Sequence, residues 1–218
     1  MATWMAHIRI AKSLLRYLEA DPKQLIVGSI GPDCGYITDE GFLPQKPLTH
    51  WQLKPKSKEV FSEFFFQDYL KGQRGDENYD FYLGYYLHLI TDIKWHEMVS
   101  RPIMENYMQT LGWDPLFLQE VRKDWYDIDR LYLRQHPQDY AYQVFQGIRS
   151  FPNIYLPFFS EDAFEKKIDF ICKFYQRTPR SLERSFVYFS PEMMDDFISL
   201  ALISCKEDLK SKGILLIK

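Results

Sequence analysis

The stretch FYLGYYLHLITDIKWHE, residues 81–97, decides how the rest of the chain is read. Its length and nearly continuous apolar content predict a buried helix, yet His88, Asp92 and His96 recur in it every fourth residue. Residues four apart stack on one side of a helix, drifting about 40° per step at 3.6 residues per turn. Leu83, Tyr86, Leu87, Leu89, Ile90, Ile93 and Trp95 surround this polar stripe. A charged aspartate desolvated alone would cost several kcal/mol, so it needs compensation. A divalent ion supplies that compensation, and His and Asp are suitable zinc ligands. An Asp–His pair tying the core together, with His96 at the solvent end, accounts for the same residues. The column by itself leaves both readings open.

Around it, 218 residues are enough to bury a sizeable core. The expectation is one domain over 1–218, with the C-terminal helices from about 160 separable as a subdomain. Apolar residues are 46% and charged ones 26%, the balance of an ordinary globular protein. A net charge of only −3 supplies no field that would hold nucleic acid, so no stable nucleic-acid partner is expected; an enzyme that cuts it is not excluded. Cys34, Cys172 and Cys205 are scattered and lack CxxC spacing, which points to buried thiols in a reducing compartment. In MATWMAHIRIAKSLLRYLEA, His7, Arg9, Lys12 and Arg16 interrupt what a signal peptide would need as an apolar run. No run of about 18 apolar residues occurs, so no transmembrane segment and a cytoplasmic location are expected.

The other elements read as helices. Met5, Ile8, Ala11, Leu14, Leu15 and Leu18 define a first one, with Thr3 as its cap and Asp21-Pro22 as its end. LIVGSIGPD, residues 25–33, is a short apolar piece, followed by an irregular Pro- and Gly-containing stretch to about residue 56. Ser57 is the predicted cap of KEVFSEFFFQDYL. The column helix runs to about Ser100, before Arg101-Pro102. Asp114-Pro115 starts a helix through Leu133. Two more begin at Ser160 and at Ser190-Pro191, near 161–177 and 191–211. No strand alternation stands out, and the tail ILLIK is at most a short extended piece. The fold class is all-α, with roughly seven helices in one bundle.

The remaining polar oddities fall in telling places. His7 lies on the apolar first helix, His50 closes LTHW, and Asp33 ends GSIGPD. Each has a plain explanation alone, as a core histidine, a loop histidine and a turn aspartate. With the column they offer six candidate ligands, enough for two metal ions sharing a carboxylate.

The ordered set MATWMAHIRIA, GSIGPD, THW and FYLGYYLHLITD resembles the zinc-dependent phospholipase C family over roughly residues 1–100. The resemblance implies the all-helical fold shared by bacterial phosphatidylcholine-hydrolysing enzymes and single-strand-specific zinc nucleases. By position it implies that Asp33, His50, His88 and Asp92 hold a first zinc. Asp92 would bridge to a second zinc, whose other protein ligand matches His7. In secreted members the free amino terminus of the mature chain completes that second site. Here the nearest tryptophan is Trp4, behind an initiator Met, so a terminal amine is not expected as a ligand. A third zinc would need a His, a later His and a Glu one turn beyond. His96 falls near the first of these but closer to the HxxxD pair than the pattern asks, and His136 is followed by PQDY. KDWYDID offers Asp124 and Asp127 on one helical face, or Asp129; Asp127 stands as the weaker metal candidate, and solvated surface charges are the plainer reading of all three.

The implied activity is zinc-dependent phosphoester hydrolysis through a metal-bound hydroxide, with two zinc ions or one. The implied substrate is a small phosphoester or a lipid headgroup, and Asp33 is the candidate catalytic residue, as ligand or general base. The adjacent His-Asp of the HD-type phosphohydrolases is missing, as are GxSxG and Cys–His signatures. The alternative is a catalytically inactive relative that serves as a metal-binding or interaction module.

Overall fold

The structure, a computed structural model, describes residues 1–39, 41–52, 60–111, 114–177 and 181–214. It is an all-α bundle with one small hairpin. Helix α1 (Trp4–Leu14) starts where the Thr3 hydroxyl accepts the N–H of Ala6, and it buries Met5, His7, Ile8, Ile10, Ala11 and Leu14. Asp21-Pro22 does more than close α1. Asp21 accepts the N–H of Gln24 and Pro22 takes the first helical position, so α2 (Pro22–Gly28) begins there. A single 3-10 turn over Gly31–Asp33 follows.

The irregular stretch contains β1 (Tyr36–Thr38) and β2 (Gly41–Leu43), an antiparallel pair with Tyr36 opposite Leu43. Three residues per strand are too few for alternation to show in the sequence. Next come α3 (Lys46–Thr49) and α4 (Ser62–Tyr69). The expected cap Ser57 lies outside the described residues, as does most of ILLIK.

Helix α5 (Tyr79–Trp95) is the column helix and the axis of the molecule; it packs against α1, α2, α4 and α10 (Pro191–Ser211). It does not stop at Arg101-Pro102. A π turn over His96–Ser100 joins it to α6 (Arg101–Leu111), and the N–H of Arg101 reaches back to the carbonyl of His96. A proline ring clashes with the carbonyl four residues earlier in a regular helix, and the widened turn relieves that conflict. Helix α7 (Pro115–Gln135) is capped by Asp114, and α9 (Ala163–Gln176) starts slightly later than Ser160 suggested. The sequence reading missed α8 (Tyr140–Gly147), although Asp139 caps it and Ala141, Tyr142 and Phe145 face inward at helical spacing. Residues of α10 join the same buried cluster as those of α1 and α5.

One contact fixes the geometry of the N-terminal half. A Cβ on Gly28 would lie 2.1 Å from the carbonyl oxygen of Phe81, and one on Gly84 would lie 2.2 Å from that of Leu25. Helices α2 and α5 therefore touch backbone to backbone. Gly84→Ala is expected to destabilise the fold by about 1–3 kcal/mol through overpacking. Gly147→Ala, where nothing lies within 4 Å of the added carbon, is expected to be neutral or to stabilise by up to about 1 kcal/mol. Paired denaturant titrations check this, and equal effects of the two changes would remove the close-contact explanation.

Candidate metal centre

The close approach of α2 sets the carbonyl of Ser29 against α5. His88 donates Nδ1–H to it at 2.8 Å, which leaves the Nε2 lone pair pointing inward. His50 is oriented in a parallel way. The Thr49 hydroxyl donates to the Lys46 carbonyl, so its oxygen is free to accept Nδ1–H of His50 at 2.8 Å. Tyr85 on α5 holds that turn by donating its hydroxyl to the Thr49 carbonyl at 2.5 Å. Such outward bonds fix tautomer and ring orientation in metal-binding histidines.

Four elements thus deliver five side chains to one place: His7 from α1, Asp33 from the 3-10 turn, His50 after α3, and His88 with Asp92 from α5. All are buried, with exposures of 0–5%. His88 Nε2 lies 3.5 Å and His50 Nε2 3.8 Å from Asp92 Oδ2; His50 Nε2 lies 3.5 Å from Asp33 Oδ1. His7 Nε2 lies 3.5 Å from the other oxygen of Asp92, Oδ1. The His7 and His88 rings stack with centroids 3.7 Å apart. Two compact groups result, His7–His88–Asp92 and Asp33–His50–His88, each with its ligand atoms within 4.8 Å of one another.

These spacings are too long for hydrogen bonds and suit a shared cation. Two ligands of one tetrahedral zinc, each about 2.0–2.1 Å from it, lie about 3.4 Å apart. The unsatisfied atoms agree. Among the described residues, seven buried side-chain polar atoms lack a hydrogen-bond partner; five are both nitrogens of His7, Nε2 of His50 and of His88, and Oδ2 of Asp92. A core built only for stability would leave few such atoms, let alone five in one cluster.

The charges point the same way. Burial pushes the His7 imidazole down to about 4, with His88 adding to the effect and Asp92 opposing it. Burial also lowers His50 against the pull of Asp33. In His88 burial works downward too, but Asp92 and Asp33 outweigh it and its pKa is raised. For Asp33, burial would favour the neutral acid, yet the contact with His50 and the charge of His88 hold it below the usual carboxylate range. Burial of Asp92 is likewise overcome, by the N-terminal ammonium, His88 and His7. Two buried carboxylates therefore stay ionised beside three imidazoles whose Nε2 atoms have no hydrogen-bond partner. A zinc ion would be held by these residues and would neutralise them.

The profile of the zinc dependent phospholipase C family matches residues 6–142, well over half of the chain. The chain belongs to the zinc-dependent phospholipase C family. Searches of curated proteins and of solved structures returned no match. Membership together with the His–Asp groups assigns a zinc-dependent, phospholipase-like function in coarse terms. Among the described residues no helix is long and apolar enough to cross a membrane.

The other candidates lie elsewhere. His96 belongs to neither group; it sits in the π turn, with Nδ1 3.1 Å from the Ser100 hydroxyl. Asp124, Asp127 and Asp129 are not solvated charges but buried ones. Asp124 and Asp127 grip the Arg184 guanidinium at 2.7 and 2.8 Å, and Asp127 also meets Arg130. Asp129 accepts the hydroxyls of Thr3 and Tyr175 at 2.9 and 2.5 Å, tying α7 to the start of α1. Two partners of the site were not read from the sequence. The Ala2 N–H donates to Asp92 Oδ1 at 2.8 Å, and Trp4 Nε1–H donates to Asp33 Oδ2 at 3.0 Å. Only the position of Trp4 one turn before His7 hinted at the latter.

Metal analysis of chelator-free protein is expected to find zinc in the wild type, little in His88→Ala or Asp92→Asn, and wild-type content in His96→Ala. Loss of zinc in the His96 variant would contradict this ligand set. Asp129 gives a separate test. Burial raises its pKa from 3.8 to about 7, the folded state thus binding the proton more tightly than the unfolded chain. Its contribution to stability is therefore largest at low pH and is lost as pH rises from about 4 through 7, by on the order of 3–4 kcal/mol. The stability gap between wild type and Asp129→Asn should widen in favour of the variant from pH 5 to pH 8; a constant gap would refute it.

Proposed function

We propose that this chain is a zinc-dependent phosphoester hydrolase in which Asp92 is shared between two ions. The observation that carries the reading is the division of the Asp92 carboxylate. Oδ2 faces His88 and His50, while Oδ1 faces His7. Asp33, His50 and His88 would hold one ion with Asp92 Oδ2, and His7 with Asp92 Oδ1 would hold the other. The Ala2 backbone N–H lies beside Oδ1, so the chain's beginning is folded into this second position. Bound zinc supplies Lewis acidity, lowering the pKa of a coordinated water towards about 7 and stabilising charge on phosphoryl oxygens.

The protein residues have complementary tasks. The bonds from His88 to Ser29 and from His50 to Thr49 orient both rings with Nε2 aimed inward. For Asp33 the environment favours ligation over proton transfer. Oδ1 faces His50, Oδ2 is occupied by the Trp4 indole, and a carboxyl held so acidic is a weak base.

A second reading, a metal-binding module without turnover, draws on the burial of all five side chains. Two surface clefts of about 170 and 450 Å³ contain none of the five ligands, although the smaller reaches Cys34 beside Asp33.

Zinc-loaded protein is expected to hydrolyse bis(p-nitrophenyl) phosphate or a related phosphodiester, to lose that activity in EDTA and to recover it when zinc is restored. Asp92→Asn is expected to lower kcat/KM at least about 100-fold. Fully loaded protein that stays inert across a panel of mono- and diesters would leave the module reading standing instead.

A further inference from the structure

We infer that Lys46 and Lys167 form an anion-binding rim beside the metal centre, so that the substrate is a phosphoester carrying a further negative charge. The inference rests on the hydrolase reading and narrows its substrate class. Its basis is the Phe42 ring on β2. A Cβ on Gly35 would lie 2.5 Å from that ring, so Phe42 lies directly on the backbone two residues beyond Asp33. Both lysine ammoniums sit over the same ring, Lys46 at 5.6 Å and Lys167 at 5.8 Å from its centre. Lys167 is also 5.1 Å from the centre of the Trp4 ring, whose N–H holds Asp33. Lys46 opens α3, and its carbonyl accepts the N–H of His50. Lys46 is thus tied through its backbone to His50, and Lys167 through the Trp4 ring to Asp33.

Neither ammonium has an ion-pair partner among the described residues, and these two are the lysines there that share one aromatic ring. The Lys46 ammonium lies 3.0 Å from the Met1 sulfur. Two cations held against one aromatic ring are arranged by cation–π attraction rather than by a carboxylate, which leaves their charge available to a ligand. Lys46 is exposed and Lys167 half-buried. The small cleft that reaches Cys34 is also lined by Tyr36, Leu43 and Ala163, and Ala163 is one helical turn from Lys167 on α9. Its lining also includes Pro44, two residues before Lys46, so both cations stand on elements that border the cleft. A cationic headgroup would be repelled there, and a phosphate or carboxylate would be attracted.

Calorimetric titration of zinc-loaded protein with two ligands of equal chain length tests this. One is n-propyl phosphate; the other, 1,3-propanediol bisphosphate, adds a second phosphate. Wild type is expected to bind the bisphosphate about tenfold more tightly, and Lys46→Gln/Lys167→Gln to bring the ratio of the two affinities close to one. Zinc content and melting temperature of the variant establish that it is folded and loaded. Equal affinities in wild type, or a preference that survives the double substitution, would overturn the rim while leaving the hydrolase reading intact. If neither ligand binds loaded wild type, the hydrolase reading falls and the rim with it. Sedimentation with phosphatidylcholine vesicles, with and without phosphatidic acid, separates the sources of the anion. Retention that needs both phosphatidic acid and the lysines assigns it to a lipid headgroup; retention on neither assigns it to a soluble ester.

Discussion

The metal centre depends on two helices coming closer than side chains allow. Gly28 and Gly84 permit α2 and α5 to meet at their backbones, and everything around His88 follows from that distance. The Ser29 carbonyl, one residue beyond Gly28, becomes the acceptor for His88, one turn beyond Gly84. The 3-10 turn that ends α2 then carries Asp33 to the same place. With larger residues at the contact, the helices would separate by enough to break the hydrogen bond and to move Asp33 out of reach of His50. The glycines are usually read as weak points of a helix. Here they set the position of a charged site.

The second constraint is electrostatic. An ionised Asp92 buried at 5% exposure is unstable without nearby positive charge or donors. The protein supplies some of both, through the Ala2 N–H and the N-terminal ammonium, but leaves Oδ2 with no donor at all. A site completed by protein groups alone would have closed that gap, because an unpartnered buried carboxylate oxygen is a large penalty. The same incompleteness recurs at three imidazoles, which is why a cation explains the cluster better than a polar core does. Asp124 and Asp127 are the internal contrast. They are as deeply buried, yet their oxygens are taken up by Arg184, Arg130 and the Tyr188 N–H.

Much of this was legible in the sequence, for identifiable reasons. The column on α5 was visible because helical period places His88 and Asp92 together, and Asp-Pro or Ser-Pro pairs marked the starts of α7 and α10. Asp21-Pro22 carried the same signal and was read only as a stop, because the helix it opens is seven residues long. The hairpin and α8 are too short for their periods to accumulate. The convergence of His7, Asp33 and His50 on the column is a matter of tertiary distance, which a single sequence does not encode locally; resemblance of the ordered segments supplied it. His96 shows the limit of the periodic argument. A four-residue spacing extrapolated beyond Trp95 assumes an unbroken α-helix, and the π turn that begins at His96 changes the angular step.

Asp33 joins these constraints to the surface. Through Oδ1 it belongs to the buried group with His50, and through Oδ2 it holds Trp4, whose ring lies under Lys167 and against Phe170 and Tyr126. A ligand that draws Lys167 off its aromatic seat would therefore remove a contact from the indole that donates to Asp33. The interior of the centre is rigid, since every imidazole is stacked, hydrogen-bonded or both. The rim is soft, since cation–π seating is worth only about 0.5–1 kcal/mol at exposed positions. On the proposed reading, recognition would rest on the hairpin, α3 and α9, and reactivity on α1, α5 and the two turns that carry Asp33 and His50.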